Sequence, residues 1–243
     1  MAFDPMSWGY IAAALAGNHV VLGLAGMWPR STLLGPNLRR LPQESASRRE
    51  IALTFDDGPD PEVTLRVLDL LDQYHAKASF FCVGSKAAAH PATVQEIVRR
   101  GHSVENHTHT HPAAFATYGT GRLRREIEAA QETLAAICGR PPAFFRAPAG
   151  LRNPLLDPVL TRLGLRYVSW TRRALDTVDG NPVSVLNRLV RKLSAGDVLA
   201  LHDTPLPRRR ELAPLVLSVM PALMARINAQ ALRPVSLIAA CKT

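Results

Sequence analysis

The feature that most restricts the fold of this chain is a regular alternation of short β-prone runs with amphipathic helical stretches. The β-prone runs fall at residues 51–55, 79–83, 103–105, 144–146, 167–170, 198–202 and 235–238. Between them, Leu123, Ile127, Ala130, Leu134 and Ile137 recur at the 3.6-residue spacing of one helix face. Leu186, Leu189, Val190 and Leu193 do the same, as do Leu212, Leu215, Val216, Val219, Met220 and Leu223. A strand that returns through a helix runs parallel to its predecessor, so the pattern predicts an α/β fold with helices packed outside parallel strands. About seven strands can form a distorted, closed or nearly closed (β/α) barrel, or an open doubly wound sheet. No GxGxxG or other phosphate-cradling loop follows the first run, which counts against nucleotide binding.

A chain of 243 residues, 47% hydrophobic and 20% charged, has the length and composition to bury a sizeable core. Pro29, Pro36, Pro42 and the polar stretch 43–49 read as a linker, dividing residues 1–48 from a domain at 49–243. Residues 6–28 carry no charge, and Trp8, Tyr10 and Trp28 stand near their ends. That length suits an apolar helix that crosses a bilayer or attaches to it, with aromatics at the interfaces. Asn18 and His19 in its middle favour the alternative of a helix packed on the domain. No Lys or Arg precedes the stretch and no small-residue cleavage site follows, unlike a signal peptide. With Arg30, Arg39 and Arg40 after it, a spanning helix would leave the domain on the cytoplasmic side; otherwise the expectation is a cytoplasmic protein.

The formal charge is 29 − 20 = +9. Such a balance favours acidic neighbours, yet the basic residues are scattered. The one compact run, Arg208-Arg209-Arg210, lies beside prolines without interleaved aromatics, so no nucleic-acid partner is expected. Cys82, Cys138 and Cys241 form no CxxC pair and fit a reducing compartment.

In a parallel α/β fold, chemistry gathers at the C-terminal ends of strands, and polar groups sit there. The first run ends in Asp56 and Asp57, adjacent carboxylates that repel unless a cation or proton intervenes, or that merely cap an Asp-Gly-Pro turn. The third ends in Asn106-His107-Thr108-His109-Thr110-His111. A His-x3-His pair on a helical turn puts both rings on one side, so His107 and His111 can chelate an ion. Asp57 would complete a two-His, one-carboxylate set with open positions for water and substrate. His109 is expected to be a neighbour rather than a ligand, and a metal-free surface cluster is the plain alternative. His202 ends the sixth run beside Asp203, where a histidine is either structural or a general acid or base. Arg146 and Asp176 are equally ambiguous when taken alone.

Taken together, Thr-Phe-Asp-Asp-Gly-Pro at 54–59, Asn-His-Thr at 106–108 with a second histidine four after the first, Arg-x-Pro at 146–148 and Leu-x-Leu-His at 199–202 resemble the polysaccharide deacetylase family. The resemblance covers roughly residues 49–239 and implies a distorted barrel that removes an N-acyl group, first of all N-acetyl, from an amino sugar in a glycan or glycolipid. It implies Asp56 as general base, His202 as general acid, and Asp57, His107 and His111 as ligands of a divalent ion, zinc first and cobalt or another ion second. It also implies that Arg146 orients Asp56, that Asp176 helps fix Arg146, and that the Ala149 N–H meets the oxyanion. Trp170, Leu199 and Leu201 would wall the acyl pocket.

Two motifs depart from the family pattern. Arg146-Ala-Pro-Ala-Gly150 stands where Arg-Pro-Pro-Tyr-Gly is usual, and Arg173-Ala-Leu-Asp-Thr177 stands where Asp-x-x-Asp-Trp is usual. Both touch the substrate side of the site. The readings set against a deacetylase are a non-catalytic carbohydrate-binding or assembly factor and a cyclic-amide hydrolase on the same fold. The uncharged N-terminus and basic domain further suggest a lipid-linked substrate, or one beside anionic phospholipid.

Overall fold

The computed structural model describes residues 5–204 and 214–241, with side chains from Trp8. The run Arg208–Arg210 and Leu212 lie outside the described residues. In chain order the elements are α1 (Pro5–Met27), α2 (Gln43–Ser47), β1 (Glu50–Asp56), α3 (Val63–Gln73), β2 (Ser79–Cys82), α4 (Gly84–Ala89), α5 (Pro91–Arg99) and β3 (Ser103–Asn106). There follow α6 (Thr120–Cys138), β4 (Phe144–Phe145), α7 (Leu156–Arg162), β5 (Arg166–Tyr167), β6 (Arg172–Arg173), α8 (Pro182–Val190), β7 (Val198–His202), α9 (Leu215–Ala229), β8 (Arg233–Val235) and α10 (Leu237–Ala240).

The strands run β5-β4-β3-β2-β1-β7-β6 in one curled, all-parallel sheet, with β8 also on β1. This half-barrel is the α/β architecture expected. Side-chain alternation splits its contents. Ile51, Leu53 and Phe55 of β1 and Leu199 and Leu201 of β7 face outward, in one cluster with Val67 and Leu71 of α3 and Val216, Val219 and Leu223 of α9. Ala52 and Val198 face inward with Phe81, Phe144 and Val168, and Leu237 closes the bottom. Parallel strands covered on both faces take continuous apolar runs, which is why the middle of β1 and most of β7 are apolar on both faces.

In its linker and strands the structure differs from the sequence expectation in three places. Residues 37–41, expected to be linker, enter the seam between β5 and the segment before β7. The Leu38 N–H donates to Tyr167, Ser169 donates back to Leu38, and Leu41 donates to Gly196. Arg40 pairs with Asp197 at 2.9 Å. Leu41 is buried, and its short extended stretch carries too little apolar pattern to stand out from the prolines around it. The last run is displaced: β8 ends at Val235, and Ser236 caps a helix by accepting from the Ala239 N–H at 3.3 Å. β6 consists of two arginines, which no β-propensity marks.

α1 is exposed along most of its length, with Tyr10 at 74% and Val20 at 61%. Its last turn docks. Gly26 accepts from the Arg152 N–H at 3.2 Å, and a Cβ there would stand 2.3 Å from the Arg152 oxygen. Arg152 also donates to the Ser31 carbonyl, with its guanidinium over Tyr167.

His102, before β3, is buried and accepts from the Ala78 N–H through Nδ1 at 3.1 Å. Burial, helped by Lys77, lowers its pKa to about 4. A histidine depressed on folding gives stability that is complete above about pH 6.5 and is lost as the pH falls toward 4. In denaturant titrations, His102→Asn, which keeps an acceptor for Ala78, should therefore lose about 1–3 kcal/mol less than the parent between pH 7 and 4. Identical losses would refute this.

Candidate active site

The cleft opens where β1, β3, β4 and β7 end. Strand alternation brings Thr54 and Asp56 to the inner face of β1, and the register sets Asp56 beside His202 of β7. Arg146 follows β4 and crosses the interior, fully buried. Its Nη1 donates to Asp56 Oδ1 at 2.6 Å and to Thr54 Oγ1 at 2.8 Å. Its Nη2 donates to the Ser169 carbonyl and its Nε to that of Val168, while the Phe81 ring lies 4.1 Å from the guanidinium carbon. A buried cation is tolerated because its donors are matched in this way. Arg146 thus holds the Asp56 carboxylate by an ion pair.

Asp176 does not hold Arg146. It lies past β6, on the β7 side of the sheet, and binds His202 instead. The His202 Nδ1–H donates to Asp176 Oδ1 at 2.6 Å, and the His202 backbone N–H donates to Oδ2 at 3.0 Å. Burial opposes charge on this imidazole, but the Asp176 bond and the nearby Asp56 and Asp57 carboxylates raise its pKa to about 9. His202 is therefore a cation at neutral pH.

Asp57 leaves β1 with φ at +71°. Its Oδ1 stands 3.2 Å from Nε2 of both His107 and His111, and the three ligand atoms lie within 4.8 Å of one another. His107 Nδ1 lies 2.8 Å from the Arg146 carbonyl. A carbonyl only accepts, so Nδ1 carries the proton and Nε2 presents its lone pair, the arrangement of a metal-binding imidazole. Burial, and then His107, lower the His111 pKa to about 4, which leaves the His111 ring neutral. One carboxylate oxygen and two imidazole nitrogens converging on one point fit a divalent cation.

The two histidines do not sit on a helical turn. Residues 107–111 form a loop with Thr108 at φ +65° and His111 at +52°. The Thr108 N–H donates to Asn106 Oδ1, and the His111 N–H to Thr108 Oγ1. These side chains replace the backbone bonds that a helix would have made. His109 packs against Gly84, outside the cluster.

The cleft has a volume of about 1010 Å³, and its walls include Ala149, Trp170, Lys86, Arg173 and Thr177. Leu201 is not among them: strand alternation turns Leu199 and Leu201 outward into the core, opposite His202. Lys86 on α4, which the sequence did not mark, donates from Nζ to the Asp57 carbonyl at 2.6 Å. Asp203, also unmarked as a site group, is buried, accepts from Thr64 Oγ1 at 2.6 Å, and is raised by burial to about 7. Only their positions just after strand ends could have pointed to either residue.

The family profile for polysaccharide deacetylase matches residues 43–168. A peptidoglycan-N-acetylglucosamine deacetylase of Bacillus cereus is 37% identical over 164 residues, which span 65% of this chain and 58% of the relative. A chitooligosaccharide deacetylase of Azorhizobium caulinodans is 34% identical over 165 residues, spanning 68% of this chain and 77% of the relative. A crystal structure of a peptidoglycan N-acetylglucosamine deacetylase superposes with a TM-score of 0.75 at 28% identity, covering 84% of this chain and 91% of the other. This chain belongs to the polysaccharide deacetylase family.

Proposed function

We propose that this chain is a metal-dependent hydrolase that removes an N-acyl group, N-acetyl first of all, from an amino sugar in a polysaccharide, oligosaccharide or lipid-linked glycan. The observation that carries this reading is the pair of prepared groups around one ligand cluster. Asp56 is tied to Arg146, and His202 is tied to Asp176, beside Asp57, His107 and His111. The relatives' names, peptidoglycan-N-acetylglucosamine and chitooligosaccharide deacetylase, support the substrate class.

Asp57, His107 and His111 would hold the ion, with zinc favoured by the ligand set and cobalt next. A divalent ion there supplies Lewis-acid polarisation of the amide carbonyl and acidifies the attacking water. Asp56, fixed by Arg146, accepts that water's proton. His202 donates a proton to the amine nitrogen, which otherwise would leave as a strongly basic anion. The backbone at Ala149, with φ at +54° on the cleft wall, is the candidate contact for the oxyanion. The cleft volume lies at the upper end of small-ligand pockets, which suits more than one sugar.

We also infer that α1 attaches the domain to a membrane from the cytoplasmic side. The stretch Trp8–Met27 has 20 residues, about 30 Å of helix, with Arg30, Arg39 and Arg40 after it.

Acetate release from N-acetylglucosamine oligomers tests the chemistry. Activity should vanish on chelation and return with zinc or cobalt, and folded Asp56→Asn should lose about 100-fold or more in kcat. Parent-like activity in that variant, or no release with any metal, would overturn the reading. Asp176→Asn removes what holds the proton on His202, so the His202 pKa falls and the alkaline limb of kcat should move to lower pH. A superimposable profile would remove His202 as the acid. Deleting residues 1–23, upstream of the Gly26 contact, should move the protein from the membrane to the soluble fraction; a soluble parent would defeat the attachment.

A further inference from the structure

We propose that Arg173 forms an anion-binding subsite beside the scissile amide, so that the preferred substrate is an amino-sugar glycan carrying a carboxylate or phosphate next to its N-acyl group. The proposal rests on the deacetylase reading above. Arg173 lies in β6 and lines the cleft. Its guanidinium carbon stands 4.9 Å from the centre of the Trp170 ring, and Arg146, which holds Asp56, stands 5.8 Å from the same centre. Arg173 and the guanidinium that holds Asp56 therefore contact the same indole.

The other cations on the cleft wall are committed. Lys86 Nζ donates to the Asp57 carbonyl and reaches Thr204 at 3.5 Å, and His202 is held by Asp176. Asp60, an acid on the same wall, accepts from the Glu62 and Val63 N–H groups. Among the described residues the Arg173 side chain makes no ion pair and no hydrogen bond, and its contact is the Trp170 ring. It is half-buried, so water screens it less than an open surface charge. The cation–π contact with Trp170 restrains the guanidinium in advance, and its fork of N–H donors matches a carboxylate or a phosphate. This is the position where the fourth motif departs from the family pattern by placing a base where an acid is usual.

The test compares three N-acetylated substrates on the full chain: a neutral N-acetylglucosamine tetramer, a glycan with N-acetylmuramic acid as neighbour, and N-acetylglucosamine 1-phosphate. The parent should favour an anionic substrate, and the carboxylate and phosphate arms identify which charge is read. Arg173→Ala should lower the anionic-to-neutral ratio of kcat/KM by about tenfold or more through KM, and Arg173→Lys should keep part of it. A ratio unchanged within about twofold in Arg173→Ala would overturn the proposal. Absence of turnover on every substrate would fell the deacetylase reading instead. Calorimetric binding of inorganic phosphate to metal-free protein then decides the subsite: loss of binding in Arg173→Ala supports it, and equal binding overturns it.

Discussion

The buried Arg146 guanidinium is the constraint on which the rest of the site depends. It reaches from β4 across the interior to β1 and is fastened by Thr54, Asp56 and two carbonyls of the segment after β5. An uncompensated charge there would cost several kcal/mol, so the sheet must curl enough to bring those partners to one point. The same residue's carbonyl fixes the tautomer of His107. One arginine thus ties the carboxylate that handles a proton to the imidazole that offers a lone pair. The Thr54 hydroxyl links this tie to β7 by donating to the Leu199 carbonyl at 2.7 Å.

Five of the nine non-glycine residues with positive φ among the described residues surround the same cleft. Asp57, Thr108, His111, Ala149 and Leu175 are each a site residue or adjoin one. Residues with a Cβ resist that conformation, so it persists only where surrounding contacts impose it. Here the contacts are visible: Asn106 and Thr108 side chains hold the histidine loop, and Trp170 and Pro29 crowd Gly150 beside Ala149. Asp56 and His202 end regular strands at the rim, whereas Asp57, His107, His111 and Ala149 hang from the turns beyond them.

Much of this was legible in the sequence because it follows from periodicity. Helix faces such as Leu123, Ile127, Ala130 and Leu134 are buried as their spacing implies, and polar residues directly after apolar runs fall at the cleft. What was not legible depends on contacts between distant segments. Asp176 could be placed near the site but not assigned to His202 rather than Arg146, since both are cationic partners and only the strand order chooses between them. Leu201 was assigned to the pocket although it neighbours His202, and the two-residue period of a strand sends neighbours to opposite faces. Residues 37–41 looked like linker because their role lies in backbone hydrogen bonds, which leave almost no trace in side-chain chemistry.

That last segment bears on how the protein can move. A linker normally serves as a leash whose slack lets a domain swing and search. Here the chain between α1 and the barrel is stitched into the seam by Leu38, Arg40 and Leu41, and the end of α1 is clamped at Gly26. No slack remains among these residues. The end of the helix and the mouth of the cleft are thus built as one piece. With the helix in a membrane, as proposed above, such a domain would meet its substrates by travelling laterally with its anchor, not by reaching out for them.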